Sequence, residues 1–139
     1  MARRQEVLAD TSGILALLDR DDKHHTAVVE IVRNETIIIP STILPEVDYL
    51  ATKYLGEHVA RAFVEAVTTR CFQYLNVDLD DLDQALKVMN RYKDVPLGLV
   101  DASLVALIER HRIQRILTLD RRHFNLIQPE KVEYLELLP

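Results

Sequence analysis

Short runs of β-branched or aliphatic residues alternate along this chain with longer stretches in which apolar residues recur every three or four positions. That alternation predicts strands punctuated by helices. The first strand, Glu6 to Ala9, stops at Asp10-Thr11-Ser12-Gly13, residues that turn a chain and begin a helix. Leu15 and Leu18, then Ala27, Val28, Ile31 and Val32, keep helical spacing on either side of the polar stretch Asp19 to His25, so two helices are predicted. Thr36-Ile37-Ile38-Ile39 is the clearest strand, because consecutive β-branched residues disfavour helix and suit a strand buried on both faces; Pro40 closes it.

Ile43, Val47, Leu50, Ala51 and Tyr54 mark the next helix, with Pro45 tolerable only in its first turn and Gly56 at its end. Val59, Phe63, Ala66 and Val67 mark another, followed by a strand from Phe72 to Val77 and a helix carrying Leu82, Ala85, Leu86 and Met89. Pro96 and Gly98 predict a turn, after which Asp101 opens a helix with Leu104, Val105, Leu107 and Ile108 as its apolar set. Ile116-Leu117-Thr118-Leu119 is a short buried strand ending at Asp120, and a last strand, Val132 to Leu135, is expected at the sheet edge. Alternation of this kind gives right-handed crossovers and helices on both faces of a sheet. The expected architecture is α/β: one three-layer α/β/α domain over residues 1–139, with a central, mostly parallel sheet of four to five strands.

Composition narrows the classes. With 139 residues, 48% of them hydrophobic, and only 3 glycines, the chain suits a globular core and needs no disulfide or structural metal to hold it. The lone Cys71, before an apolar run, is expected to be a buried or partly buried structural thiol, which points to a reducing, cytoplasmic setting. No secretory stretch follows the first residues and no segment approaches the roughly 20 apolar residues that span a bilayer, so a soluble, unexported protein without a membrane role is expected. A formal charge of -5 excludes a domain that grips nucleic acid by bulk positive charge; any action on RNA must use local basic groups or bound cations.

Ligands of open parallel sheets collect outside the carboxyl ends of the strands. Acids recur at that edge: Asp10 after the first strand, Glu46 a few residues after the second, Asp101 at the start of the helix leading to the fourth, and Asp120 at the end of that strand. They are separated by 36, 55 and 19 residues, so only the fold brings them together. Two carboxylates ~5 Å apart at an effective dielectric of ~20 repel by roughly 3 kcal/mol, so such a cluster requires protons or cations. All-oxygen carboxylate sites suit Mg²⁺ or Mn²⁺, which activate a bound water and shield phosphate charge. Phosphodiester hydrolysis is the chemistry this predicts.

Each acid also has an ordinary reading. Asp10 is a good helix cap and Asp101 a helix-start acid favoured by the macrodipole, while Asp120 would suit a turn. Glu46 is the exception, because it borders the apolar stripe of its helix, where an unpaired carboxylate is costly. The neighbours weigh against four unrelated caps. Leu8-Ala9-Asp10-Thr11-Ser12, Pro45-Glu46-Val47 with Tyr49-Leu50, Leu99-Val100-Asp101-Ala102-Ser103-Leu104, and Leu117-Thr118-Leu119-Asp120-Arg121-Arg122-His123-Phe124 resemble, in order, the four acidic motifs of PIN domains.

That resemblance covers essentially the whole chain. It implies a Mg²⁺- or Mn²⁺-dependent ribonuclease with Asp10, Glu46 and Asp101 as core acids, Asp120 as a fourth, and Thr11, Ser12 and Thr118 as supporting hydroxyls. The pattern departs at Val105, where some PIN domains carry a further acid, which places more weight on Asp120 and leaves the number of metals open. Small members of this kind are commonly VapC toxins, homodimeric and inhibited by a VapB antitoxin, so the resemblance implies an RNA substrate, an antitoxin partner and a homodimer. A basic segment of such a partner would complement the acidic balance of this chain.

Basic residues gather at Arg110, His111, Arg112, Arg115, Arg121, Arg122 and His123. The first three fit a solvated helix end, whereas Arg121 and Arg122, beside Asp120, are candidates for RNA phosphates. His24 and His25 diverge on a helix and read as an exposed helix start, and His58 and His111 have no triad context. The alternatives are a free-standing PIN nuclease without an antitoxin, a Mg²⁺-dependent phosphoacceptor domain using Asp10, and a degenerate PIN fold that only binds. Phosphoacceptors lean on a further acid beside the first, or two residues after it, where Thr11 and Ser12 stand here; the presence of all four acids disfavours a degenerate fold.

Overall fold

The computed structural model describes residues 3–95 and 97–139. The expected turn therefore lies, at Pro96, outside the described residues. Five strands, β1 (Glu6–Ala9), β2 (Thr36–Pro40), β3 (Gln73–Leu75), β4 (Arg115–Leu117) and β5 (Glu136–Leu138), form one sheet in the order β3-β2-β1-β4-β5. Every pairing is parallel, and register runs Leu8 to Ile38 on one side and Leu8 to Ile116 on the other. The chain builds outward from β1 through β2 to β3, then returns to the other side of β1 with β4. The strand order thus reverses at β1, which places a crevice at the carboxyl ends of β1 and β4.

The helices are α1 (Thr11–Leu18), α2 (His25–Asn34), α3 (Leu44–Leu55), α4 (Glu57–Thr68), α5 (Leu79–Arg91), α6 (Leu99–His111) and α7 (Arg121–Asn125). A 3-10 turn at Ser41–Ile43 links β2 to α3, Pro45 sits in the first turn of α3, and Gly56 ends that helix with a φ of 107° that an L side chain rarely adopts. The core is Val7 to Ala9, Ile37 to Ile39, Ile116 and Leu117, with α6 buried from Ala102 to Glu109. A helix apolar nearly all round belongs inside a domain, and α6 packs accordingly. Among the described residues no helix is long and apolar enough to cross a membrane.

Gly13 marks a close approach between α1 and β4. A Cβ there would sit 2.5 Å from the Leu117 carbonyl oxygen, so only glycine lets the first turn of α1 lie against β4.

Four expectations need correction. The fourth strand ends at Leu117 rather than continuing through Leu119, because the amides of Leu119 and Asp120 donate to the hydroxyls of Ser12 and Thr118 at 2.9 and 3.0 Å. Asp120 therefore lies beyond the strand rather than ending it. The last strand is Glu136–Leu138, not Val132 to Leu135: Lys131 has a left-handed φ of 67°, Val132 tucks into the core, and the ladder starts where the Glu136 amide donates to Gln114 at 2.7 Å and its carboxylate pairs with Arg115 at 3.3 Å. The third strand is trimmed to Gln73–Leu75, with the Val77 amide taken by the Ser41 hydroxyl at 2.8 Å. Cys71 is exposed, in the turn between α4 and β3.

Candidate functional site

Asp10 leaves β1 in extended conformation and caps α1, with the Gly13 amide donating to its Oδ1 at 2.9 Å. The capping role foreseen for it is real, but it uses only part of the carboxylate. Ser12 Oγ also donates to Oδ1, at 2.7 Å, and Thr118 Oγ1 donates to Oδ2 in a very short contact. Both hydroxyls are themselves held by amides of the segment after β4. The close packing permitted by Gly13 is what lets α1 and this segment share one cradle around Asp10.

Asp101 lies in the first turn of α6, and Asp120 precedes α7. One further turn along, His123 Nδ1 stands 3.3 Å from Asp101 Oδ2 and 3.4 Å from Asp120 Oδ2. One ligand atom from each of Asp101, Asp120 and His123 lies within 4.8 Å of the others. In the sequence His123 is one of a run of basic residues, after Arg121 and Arg122. The signal that marks it is its spacing: three positions after Asp120, where a helix would return it to the same face.

A pocket of about 360 Å³ gathers Asp10, Glu46, Asp101 and Asp120 with Thr11, Ser12, Gly98, Leu99 and Val100. Its described lining holds four acids and neither lysine nor arginine. Glu46 differs from expectation. It points outward at the first turn of α3 and is exposed, while Val47 and Ala51 take the buried stripe. It therefore reaches the pocket from solvent, without the desolvation cost inferred for it.

Burial dominates the electrostatics. It pushes the Asp10 carboxyl above the usual carboxylate range, against the hydrogen bonds from Thr118, Gly13 and Ser12 that favour the anion; the charge of Asp101 adds to the rise. Burial likewise raises Asp101, His123 opposes it, and the charges of Asp120 and Glu46 reinforce it. Thr11 Oγ1 is buried with no hydrogen-bond partner.

Arg121 is exposed, but its guanidinium is directed to the carbonyl oxygens of Leu137, at 3.5 Å, and Pro139. It ties α7 to β5 instead of standing free beside the acids. Arg122 is exposed. A larger cavity, about 840 Å³, lies between α2, α4 and the β2–β3 edge and is lined by residues such as Val32, Leu44, Val67 and Phe72; its described lining contains no carboxylate cluster.

The PIN domain family model matches residues 7–128. The chain belongs to the PIN domain family. Within that family it is 30% identical, over 88% of this chain and 93% of the relative, to ribonuclease VapC26 of Mycobacterium tuberculosis. The PIN fold is also that of the sarcin-ricin loop cleaving toxin VapC20 of the same organism, with a TM-score of 0.81 at 19% identity, covering 96% of this chain and 99% of that one. VapBC2 of Rickettsia felis, solved bound to a DNA fragment from its promoter, has a TM-score of 0.70 at 15% identity, covering 97% and 100% of the two chains. The all-parallel five-stranded sheet agrees with the mostly parallel sheet expected from sequence.

Proposed function

We propose that this chain is a divalent-metal-dependent endoribonuclease, acting in the cytoplasm as the toxin of a VapBC-type pair, with Asp10, Glu46, Asp101 and Asp120 as its catalytic acids. The observation that carries the reading is the pocket itself: four carboxylates from distant parts of the chain, two of them raised by burial, with no lysine or arginine in the described lining. Such a set is eased by protons or by a cation, and a dication answers several carboxylates at once. Oxygen donors of this kind fit Mg²⁺ or Mn²⁺, and the unpartnered Thr11 hydroxyl adds an uncommitted oxygen at the same place. When bound, the dication supplies positive charge to the scissile phosphate and an acidified water for attack.

The protein's part is positioning. Three donors hold Asp10, so its carboxylate cannot rotate away when substrate arrives. Ser12 and Thr118 orient it and are fixed in turn by backbone amides, which makes the cradle rigid. Asp101 and Asp120 face it across the pocket, and exposed Glu46 closes the solvent side. Arg122 is the better placed of the two arginines to attract RNA phosphates, since Arg121 is engaged with β5. A phosphoacceptor role finds no further acid beside Asp10 or two residues after it, where Thr11 and Ser12 stand.

A VapB-type antitoxin with a basic segment would satisfy the same acids, and we place the active form as a homodimer, as the resemblance implies. Expression of the wild type should arrest growth and generate new RNA ends, and purified protein should cut RNA only with Mn²⁺ or Mg²⁺ present. Asp101→Asn should do neither while remaining folded. Equal cleavage by wild type and variant, or cleavage unaffected by chelation, would sink the reading.

A further inference from the structure

We propose that His123 is itself a metal ligand, completing with Asp101 and Asp120 a mixed carboxylate–imidazole set that favours a first-row transition dication over Mg²⁺. The inference rests on the reading above that this pocket holds a divalent ion. Its own support is the placement of one ring nitrogen against two carboxylates.

His123 Nδ1 is 3.3 Å from Asp101 Oδ2 and 3.4 Å from Asp120 Oδ2. Nδ1 thus lies between two carboxylate oxygens at nearly equal distance, longer than a single charge-assisted hydrogen bond of about 2.7–2.9 Å. Donors that share an ion behave differently: bonds of about 2.1 Å hold neighbouring ligand atoms about 3.0 Å apart in an octahedron and about 3.4 Å apart in a tetrahedron. The two observed separations leave room for an ion shared in this way, and all three ligand atoms lie within 4.8 Å of one another.

The local fold supports the same arrangement. The five-residue α7 carries His123 back to the face of Asp120, and buried Phe124 anchors that helix in the core. The Asp101 and His123 side chains keep 23% and 26% of their surface exposed, leaving an ion and its waters a route in. Imidazole is a borderline ligand that adds little for Mg²⁺ and more for transition dications.

The test loads the full chain with Mn²⁺ and records pulsed electron paramagnetic resonance alongside calorimetric titration with Mn²⁺ and with Mg²⁺. The wild type should show a ¹⁴N coupling on the manganese signal that is absent from His123→Ala and His123→Gln. Both variants should bind Mn²⁺ about 10–100-fold more weakly. Their Mg²⁺ affinity should stay within about two-fold. Melting of the metal-free variants checks that each folds; if the alanine variant does not, His123→Gln and the wild-type nitrogen signal decide. Manganese bound without nitrogen coupling, or wild-type affinity retained by His123→Gln, overturns the ligand role and leaves the nuclease reading standing. No manganese uptake at all overturns both.

Discussion

Two groups of buried acids in this protein have opposite fates. Beneath α5 and α6, Asp81 accepts from Arg110 through both oxygens at 2.9 Å and closes a capping box with Asp78, while Glu109 accepts from Arg91 at 3.3 Å and from the Glu130 amide at 2.6 Å. At the carboxyl edge of β1 and β4, Asp10 and Asp101 are buried or half-buried with only hydroxyls, one amide and a histidine for company. Guanidinium groups make the first set structural. Their absence from the described lining of the second leaves its carboxylates without a guanidinium to answer them.

The sharpest test of that contrast exchanges one acid from each group. Asp101→Asn should lower RNA cleavage by roughly 10²–10³-fold or more, and the metal-free fold should be no less stable for it. Asp81→Ala should leave the turnover of the folded protein unchanged but cost about 1 kcal/mol in denaturant unfolding, through the lost capping box. If the two variants behaved alike, burial without a cationic partner would carry no functional meaning here.

Next in size, Thr118→Val removes the hydroxyl that joins Asp10 to the Asp120 amide. Cleavage or Mn²⁺ affinity should drop about 10–100-fold, with the global fold intact by circular dichroism.

A smaller effect appears in the pH dependence of stability. Asp101 has a folded-state pKa raised above that of the unfolded chain, chiefly by burial, so the fold binds its proton more tightly than the unfolded state does. Its ionisation therefore destabilises the metal-free protein increasingly as pH rises from about 4, the region of an unfolded carboxyl, through the raised folded value. Compared across that window, the metal-free wild type should lose melting temperature relative to Asp101→Asn, and saturating Mn²⁺ should reverse the difference at neutral pH. The least effect is expected from Arg122→Ala, which should weaken RNA binding evenly across sequences and reduce its salt slope by about 1; an unchanged slope removes Arg122 from the interface.

Much of the fold was legible because periodicity reports burial directly. The four β-branched residues of Thr36 to Ile39 and the apolar spacing of Ile43 to Tyr54 define β2 and α3 as read. What periodicity could not disclose was competition for backbone hydrogen bonds. Leu119 looks like strand, yet its amide goes to the Ser12 hydroxyl, a partner 107 residues away. Val132 to Leu135 likewise alternates like a strand, while the ladder is set further on by contacts of Glu136 with Gln114 and Arg115. At the site, the acids were visible because each stands at or near a helix start. The outward tilt of Glu46 was not, since it depends on how α3 leaves the 3-10 turn, and His123 stayed hidden because its meaning depends on Asp101, 22 residues earlier in the chain.

The clasp between Asp10 and Thr118 joins residues 108 positions apart. During synthesis at about 5–20 residues per second, the aspartate waits roughly 5–20 s before its hydroxyl partner exists. A copy whose synthesis has not yet reached β4 lacks Thr118 as well, so the cradle around Asp10 closes only after residue 118 has been made.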